Sequence, residues 1–164
     1  ARRPNIAGAV LLIAPGFFPA VDLSVLAKLG VGLALLAGGG RSFEIPLDDP
    51  ALFTDNPSGR EYIQSDPIRL RRVTARFMWH SRQLNKLVRG LKAGALGSQV
   101  TLLLAGRERI IRNTITELWV RSICRTARVV RFPDAAHTLE FEPNLLEFSA
   151  ALRDWARHLG RGSG

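Results

Sequence analysis

VTLLLAGRERII, residues 100–111, is the stretch whose reading decides the fold: six residues of strand character end at a glycine, and charge follows at once. A continuous apolar run stopped by a turn is the mark of a strand buried on both faces. Residues 8–14, GAVLLIA, repeat the pattern and stop at Pro15-Gly16, and residues 128–132, RVVRF, repeat it more weakly before Pro133. The three runs are candidate neighbours in a parallel sheet. Between the second and third lies NTITELWVRSI, of helix length, with Asn113 placed to cap it and Ile115, Leu118 and Trp119 on one face. After the third comes NLLEFSAALRDWARHL, where Leu145, Phe148, Leu152, Trp155 and Leu159 recur at helical spacing, and Asn144 and Glu147 stand like a capping pair behind Pro143. Strand and helix in alternation predict an α/β sheet with right-handed crossovers.

Residues 22 to 98 break this rhythm. They are too many for one crossover, and GGG at 38–40, IPLDDP at 45–50 and DNPSG at 55–59 punctuate them. An apolar helix near 23–37 and a longer amphipathic one near 70–91 remain, so an inserted helical lid fits better than a loop. Ser65-Asp66-Pro67 has the look of a helix start or turn.

Composition narrows the function classes. A chain of 164 residues, 46% of them hydrophobic, has the material for one domain with a real core. The opening ARRPN leads into an apolar run that Pro15 and Pro19 interrupt before it spans a bilayer, so neither a signal peptide nor a transmembrane segment is expected. A soluble, cytoplasmic protein is the expectation. The single cysteine, Cys124, excludes an internal disulfide, and His80, His137 and His158 stand too far apart for a close-spaced ligand pattern, so no metal is expected. The net charge of +9 is almost all arginine. Those arginines are scattered, and the dense patch RLRR at 69–72 has no interleaved aromatics for stacking, so nucleic acid is not the expected partner.

Ligands of an open α/β sheet bind outside the carboxyl ends of its strands. Two ionisable residues fall there: Glu108, just past the run at 100–105, and His137, five residues past the run at 128–132. A carboxylate that accepts the imidazole Nδ1 proton leaves Nε2 free as a base. The bland alternatives are a structural histidine bonded to its own loop and a Glu108 paired with Arg107 or Arg109. Asp134 is the closest substitute carboxylate, though its place suits a turn former, and Glu142 is placed to brace the loop or to favour the next helix.

GAVLLIAPGFF, SDPIRLRRVTARF, VTLLLAGRERII, RVVRFPDAAHTLEFEP and the closing LRDWARHL, in that order, resemble the C-terminal half of an α/β-hydrolase of the monoacylglycerol lipase, lysophospholipase and serine aminopeptidase-like group. The resemblance implies a partial α/β-hydrolase fold: three C-terminal parallel strands with flanking helices in residues 1–21 and 99–160, a helical cap in 22–98, and a flexible tail at 161–164. It places Glu108 where the family has its catalytic acid, usually Asp and so one methylene shorter, and His137 where the family has its histidine. No cofactor is implied.

The nucleophile is the missing part. An elbow serine needs small neighbours on a tight strand-to-helix turn, and none of Ser24, Ser42, Ser58, Ser65, Ser81, Ser98, Ser122, Ser149 and Ser163 has glycines two positions before and after it. In the family the elbow and the oxyanion loop precede the strand that GAVLLIA resembles. The expectation is therefore a hydrolase fragment with acid, base and lid, and at most trace activity alone. The apolar helix near 23–37 would line an acyl pocket, which suits a small-molecule ester with a hydrophobic acyl group. A first strand without a neighbour would leave an apolar edge, for which a homodimer is one cover. The competing class is a non-catalytic basic α/β module that holds an anionic partner such as nucleic acid, and it predicts a contiguous arginine face.

Overall fold

The computed structural model describes residues 8–96 and 99–159, the side chain of Leu159 excepted, so the expected tail at 161–164 and the expected Leu159 contact lie outside the described residues. In chain order the elements are β1 (Ala9–Ile13), α1 (Val25–Leu36), β2 (Ser42–Glu44), α2 (Pro57–Ser65), β3 (Arg72–Thr74), α3 (Ala75–Arg89), β4 (Gln99–Ala105), α4 (Asn113–Ile123), β5 (Arg128–Phe132) and α5 (Leu146–Leu159). Single 3₁₀ turns at Pro50–Leu52 and Leu139–Phe141 complete the list.

The three apolar runs do form one parallel sheet, in the order β1-β4-β5. Ile13 lies opposite Leu103, and Ala105 opposite Phe132. β4 is central, and its side chains divide by the two-residue period of a strand. Val100, Leu102 and Leu104 point into one cluster with Ile110, Ile111 and Val120, whereas Leu103 and Ala105 point into a second with Phe132, Ala135 and Leu139. α4 closes the first face through Val120, and α5 closes the second through Phe148, Ala151 and Leu152. Leu102, Leu103 and Leu104 are all fully buried, and each such burial is worth about 1.5–3 kcal/mol.

Four details depart from expectation. β1 is only partly buried, with Ile13 40% exposed, because among the described residues it has a strand on one side only. Asn113 does not cap α4: Arg112 holds that position without a side-chain bond, and Asn113 Nδ2 instead donates to the Ala105 carbonyl at 2.6 Å, tying the helix to the end of β4. Leu118 is exposed and Ile115 largely so, while Thr116, Val120 and Ile123 are buried. That second stripe has equal helical spacing, and Thr116 belongs to it because its hydroxyl donates to the Arg112 carbonyl at 2.9 Å. Leu145 precedes α5 and is exposed, so the core stripe starts at Phe148; Asn144 Oδ1 does accept the Leu146 N–H at 3.0 Å. The α4 register gives a direct test. Val120→Ala is expected to cost about 2 kcal/mol and Leu118→Ala less than about 0.5 kcal/mol in urea unfolding; comparable losses would refute the register.

The insert between β1 and β4 contains more than two helices. Ser24 and Thr74 cap α1 and α3 as N-cap hydroxyls, each accepting an N–H at 3.2 Å. The punctuation at 55–59 turns out to start α2, with Pro57 at its first position and Asn56 Oδ1 accepting from Ser58 N–H. Ser65-Asp66 ends that helix rather than starting one. β2 and β3 form a short antiparallel pair, and the RLRR patch flanks it, with Arg69 on Asp48 and Arg72 on Glu44. Leu26, Leu29, Leu33 and Leu36 of α1 are exposed among the described residues, so they line no acyl pocket there. No helix of the described residues is long and apolar enough to cross a membrane.

Candidate active site

β4 and β5 run parallel and side by side, so the loops that leave their carboxyl ends emerge together. Gly106 N–H donates to the Phe132 carbonyl at 2.8 Å and Arg107 N–H to the Ala135 carbonyl at 2.9 Å, stitching one loop to the other. Two residues beyond Gly106 comes Glu108, and two beyond Ala135 comes His137. Nδ1 of His137 stands 2.9 Å from both carboxylate oxygens of Glu108. The side chain of Glu108 is 3% exposed and that of His137 18%. With Nδ1 donating to a carboxylate, the neutral ring has its lone pair on Nε2, on the side away from the acid.

Glu108 is held as firmly as it holds. Its Oε1 accepts the Ile110 N–H at 2.7 Å and the Ile111 N–H at 3.2 Å, closing the GRERII turn around the carboxylate. Burial pushes the carboxyl pKa up, but the hydrogen bond from His137, the Ile110 and Ile111 N–H groups and the histidine charge together bring it below the ordinary value. Its contribution to stability is thus present above about pH 4.3, the ordinary glutamate value, and is lost as pH falls through the lower folded value. Urea unfolding from about pH 6 down to about pH 3 is expected to show that acid-side loss, and Glu108→Gln to flatten it; equal slopes in the two proteins would contradict the assignment.

Arg107 and Arg109 do not pair with Glu108. Both lie on Asp55, which also accepts from Arg60 at 2.8 Å. The Arg109 guanidinium beside Asp55 holds that carboxyl below the usual carboxylate range. Asp134 acts as a turn residue whose carbonyl accepts from Arg107, and Glu142 braces the histidine loop by accepting the Ala136 N–H at 2.8 Å. Asp55 had no sequence signal beyond turn chemistry that links it to the acid loop, because Arg107 and Arg109 lie about fifty residues away. No described serine bonds to His137, and no group of three metal-binding side chains stands together among the described residues.

A parallel three-stranded sheet with helices on both faces matches part of the α/β-hydrolase fold. The chain is similar to the crystal structure of Paleococcus ferrophilus monoacylglycerol lipase, with a TM-score of 0.73 and 18% identity over 93% of this chain and 59% of that one. It is similar as well to a soluble variant of monoglyceride lipase from Saccharomyces cerevisiae, solved with a substrate analog, with a TM-score of 0.73 and 14% identity over 96% of this chain and 54% of that one. The chain therefore spans somewhat more than half the length of each, and at these identities the likeness is one of fold. No family model and no curated protein matches the sequence.

Proposed function

We propose that Glu108 and His137 are the acid and base of a serine-type hydrolase of carboxylic esters, with monoacylglycerol or lysophospholipid-like substrates, and that this chain supplies that half of the site. The observation that carries the reading is the 2.9 Å contact between a buried carboxylate and Nδ1 at the carboxyl edge of a parallel sheet. Glu108 fixes the tautomer and stabilises the imidazolium that forms when Nε2 takes a proton from a nucleophilic hydroxyl; the same nitrogen then returns the proton to the leaving alkoxide. Residues 22–98 serve as the cap in this reading. The apolar stripe of α1, open here, would face the acyl chain once the nucleophile-bearing half is in place.

The hydroxyl and the oxyanion donors must come from elsewhere, since no GxSxG occurs in the sequence. The first test is the reading frame upstream of Ala1, which is expected to encode an oxyanion loop and a GxSxG strand-turn-helix. Its absence there, with no co-expressed half that supplies one, would defeat the proposal. Production of both halves together is then expected to give turnover of medium-chain monoacyl esters in preference to acetyl esters.

A second reading, the anion-binding module, has one observation in its favour. Many arginines are neutralised by an acid, as Arg128 is by Asp154 and as Arg121 and Arg131 together are by Glu117. In the groove of about 780 Å³ between α3 and the start of α4, however, Lys86 and Arg112 stand without an ion-pair partner among the described residues, and Arg82 shares the groove with a single acid, Asp22, on which its charge acts. The module reading predicts that Arg82→Gln and Arg112→Gln weaken binding of a DNA oligonucleotide; unchanged binding in both removes its support.

A further inference from the structure

The turn that precedes α2 touches both loops of the candidate dyad. On the acid side, Arg109 donates to the two oxygens of Asp55 at 3.0 and 3.1 Å and to the Ala51 carbonyl at 2.6 Å. Arg107 stands 3.4 Å from Asp55 and donates also to the Asp134 carbonyl, at the head of the histidine loop. On the histidine side, Thr138 N–H donates to the Phe53 carbonyl at 2.8 Å, and the Phe53 ring meets the imidazole edge-on with centroids 6.2 Å apart. One short segment of the insert is thereby fastened to the acid loop by charge and to the histidine loop by backbone.

The charge arrangement has a further consequence. Arg107 and Arg109 flank Glu108 in the chain, and a guanidinium is a strong, fork-shaped partner for any carboxylate within reach. The hydrogen bond from Arg109 to Asp55 is the first cause that raises the Arg109 pKa, and the charges of Asp49 and Glu108 add to that effect, so three acids act on one cation. Glu108 nevertheless directs its oxygens to Ile110, Ile111 and His137. What occupies the fork of Arg109 is Asp55.

We propose that Asp55 is a positioning residue: by holding Arg109 it keeps that cation off Glu108, so that the Glu108 carboxylate stays on His137 and the seating of the insert is coupled to the organisation of the dyad. The proposal rests on the acid and base reading above, which itself places no demand on Asp55. Without the Asp55 charge, the freed guanidinium competes with the imidazole for the same carboxylate. A residue that merely supported the turn would lower stability without altering which partner Glu108 keeps in the folded molecules.

The experiment is proton NMR of this chain, read at the proton that His137 Nδ1 shares with Glu108. Such a proton, beside a buried carboxylate, exchanges slowly with water and resonates far downfield. Asp55→Asn is expected to lose the signal, and Asp55→Glu, which restores an anion for Arg109, to keep it. Asp55→Asn combined with Arg109→Gln removes the guanidinium that Asp55 held through both its oxygens, while Arg107 keeps the Asp134 carbonyl and Arg60 the Thr54 carbonyl, and is expected to regain it. A signal that persists unchanged in Asp55→Asn overturns the proposal, as does a double variant without the signal or an unchanged chain that never shows it. The double variant decides the matter where the single one does not fold. The hydrolase reading fails separately, if His137→Ala leaves turnover of the completed enzyme intact.

Discussion

Glu108→Gln, in the enzyme completed by its nucleophile-bearing half, is expected to lower kcat by about 10⁴ with little change in KM, and His137→Ala by about 10⁵ or more. The glutamine should fold into the same turn, which makes the expected loss informative. Oε1 of Glu108 accepts two backbone N–H groups, from Ile110 and Ile111. An amide must therefore keep its carbonyl oxygen at that place, and its NH₂ then occupies the other position, facing His137 Nδ1. Donor would face donor unless the ring gives up the Nδ1 proton and takes one on Nε2 instead. That tautomer accepts at the wrong nitrogen, and the base has no lone pair for the nucleophile. The loss falls on kcat because the imidazolium that the Glu108 charge stabilises exists only once the proton has moved. Steady-state turnover of a medium-chain monoacyl ester by the two variants measures it. A Glu108→Gln enzyme within tenfold of the unchanged one would remove Glu108 from the triad, and Asp134 and Asp55 would be the next carboxylates to substitute.

The legible parts of this chain were those in which a local pattern and a long-range contact coincide. VTLLLA needs no partner to be recognised, since a strand at the centre of a sheet is apolar on both faces, and β4 is central. Glu108 and His137 were legible for the same reason: once their strands are parallel neighbours, residues just beyond the carboxyl ends are brought together. α4 shows where this stops. Its sequence carries two apolar stripes, and the larger residues, Ile115 and Leu118, lie on the outer one; the choice was made by how Ile110, Ile111 and Val120 fill the space over β4. Likewise α2 begins in a stretch with the composition of a turn, and its short length offers little periodicity. The joining of Asp55 to Arg107 and Arg109 spans the insert, and no spacing rule connects charges so far apart. What the sequence could not display, in each case, was which of several locally sound options the tertiary packing would select.

Gly106→Ala is expected to cost about 3 kcal/mol of stability and, in the completed enzyme, about 100-fold in kcat. Gly106 follows the last residue of β4 and faces the turn at Pro133, which follows the last residue of β5. A Cβ at this position would sit 2.2 Å from the Pro133 carbonyl oxygen and 2.6 Å from the Pro133 carbonyl carbon and Cα. All three are backbone atoms, so no side chain can swing aside, and relief requires that the two loops part by roughly an ångström. The parting breaks into the bond from Gly106 N–H to the Phe132 carbonyl and into the neighbouring one from Arg107 to Ala135. Glu108 and His137 hang on those same loops at 2.9 Å, so a displacement of that size takes them out of hydrogen-bond range. Gly40→Ala is the control, since nothing lies within 4 Å of the Cβ it would carry, and its effect should stay within about 0.5 kcal/mol. Urea midpoints for the two variants, together with kcat for Gly106→Ala, separate the possibilities. A stable Gly106→Ala protein with full turnover would mean that the loop pair yields without cost, and that the organisation of the dyad does not depend on the close approach of β4 and β5 at their carboxyl ends.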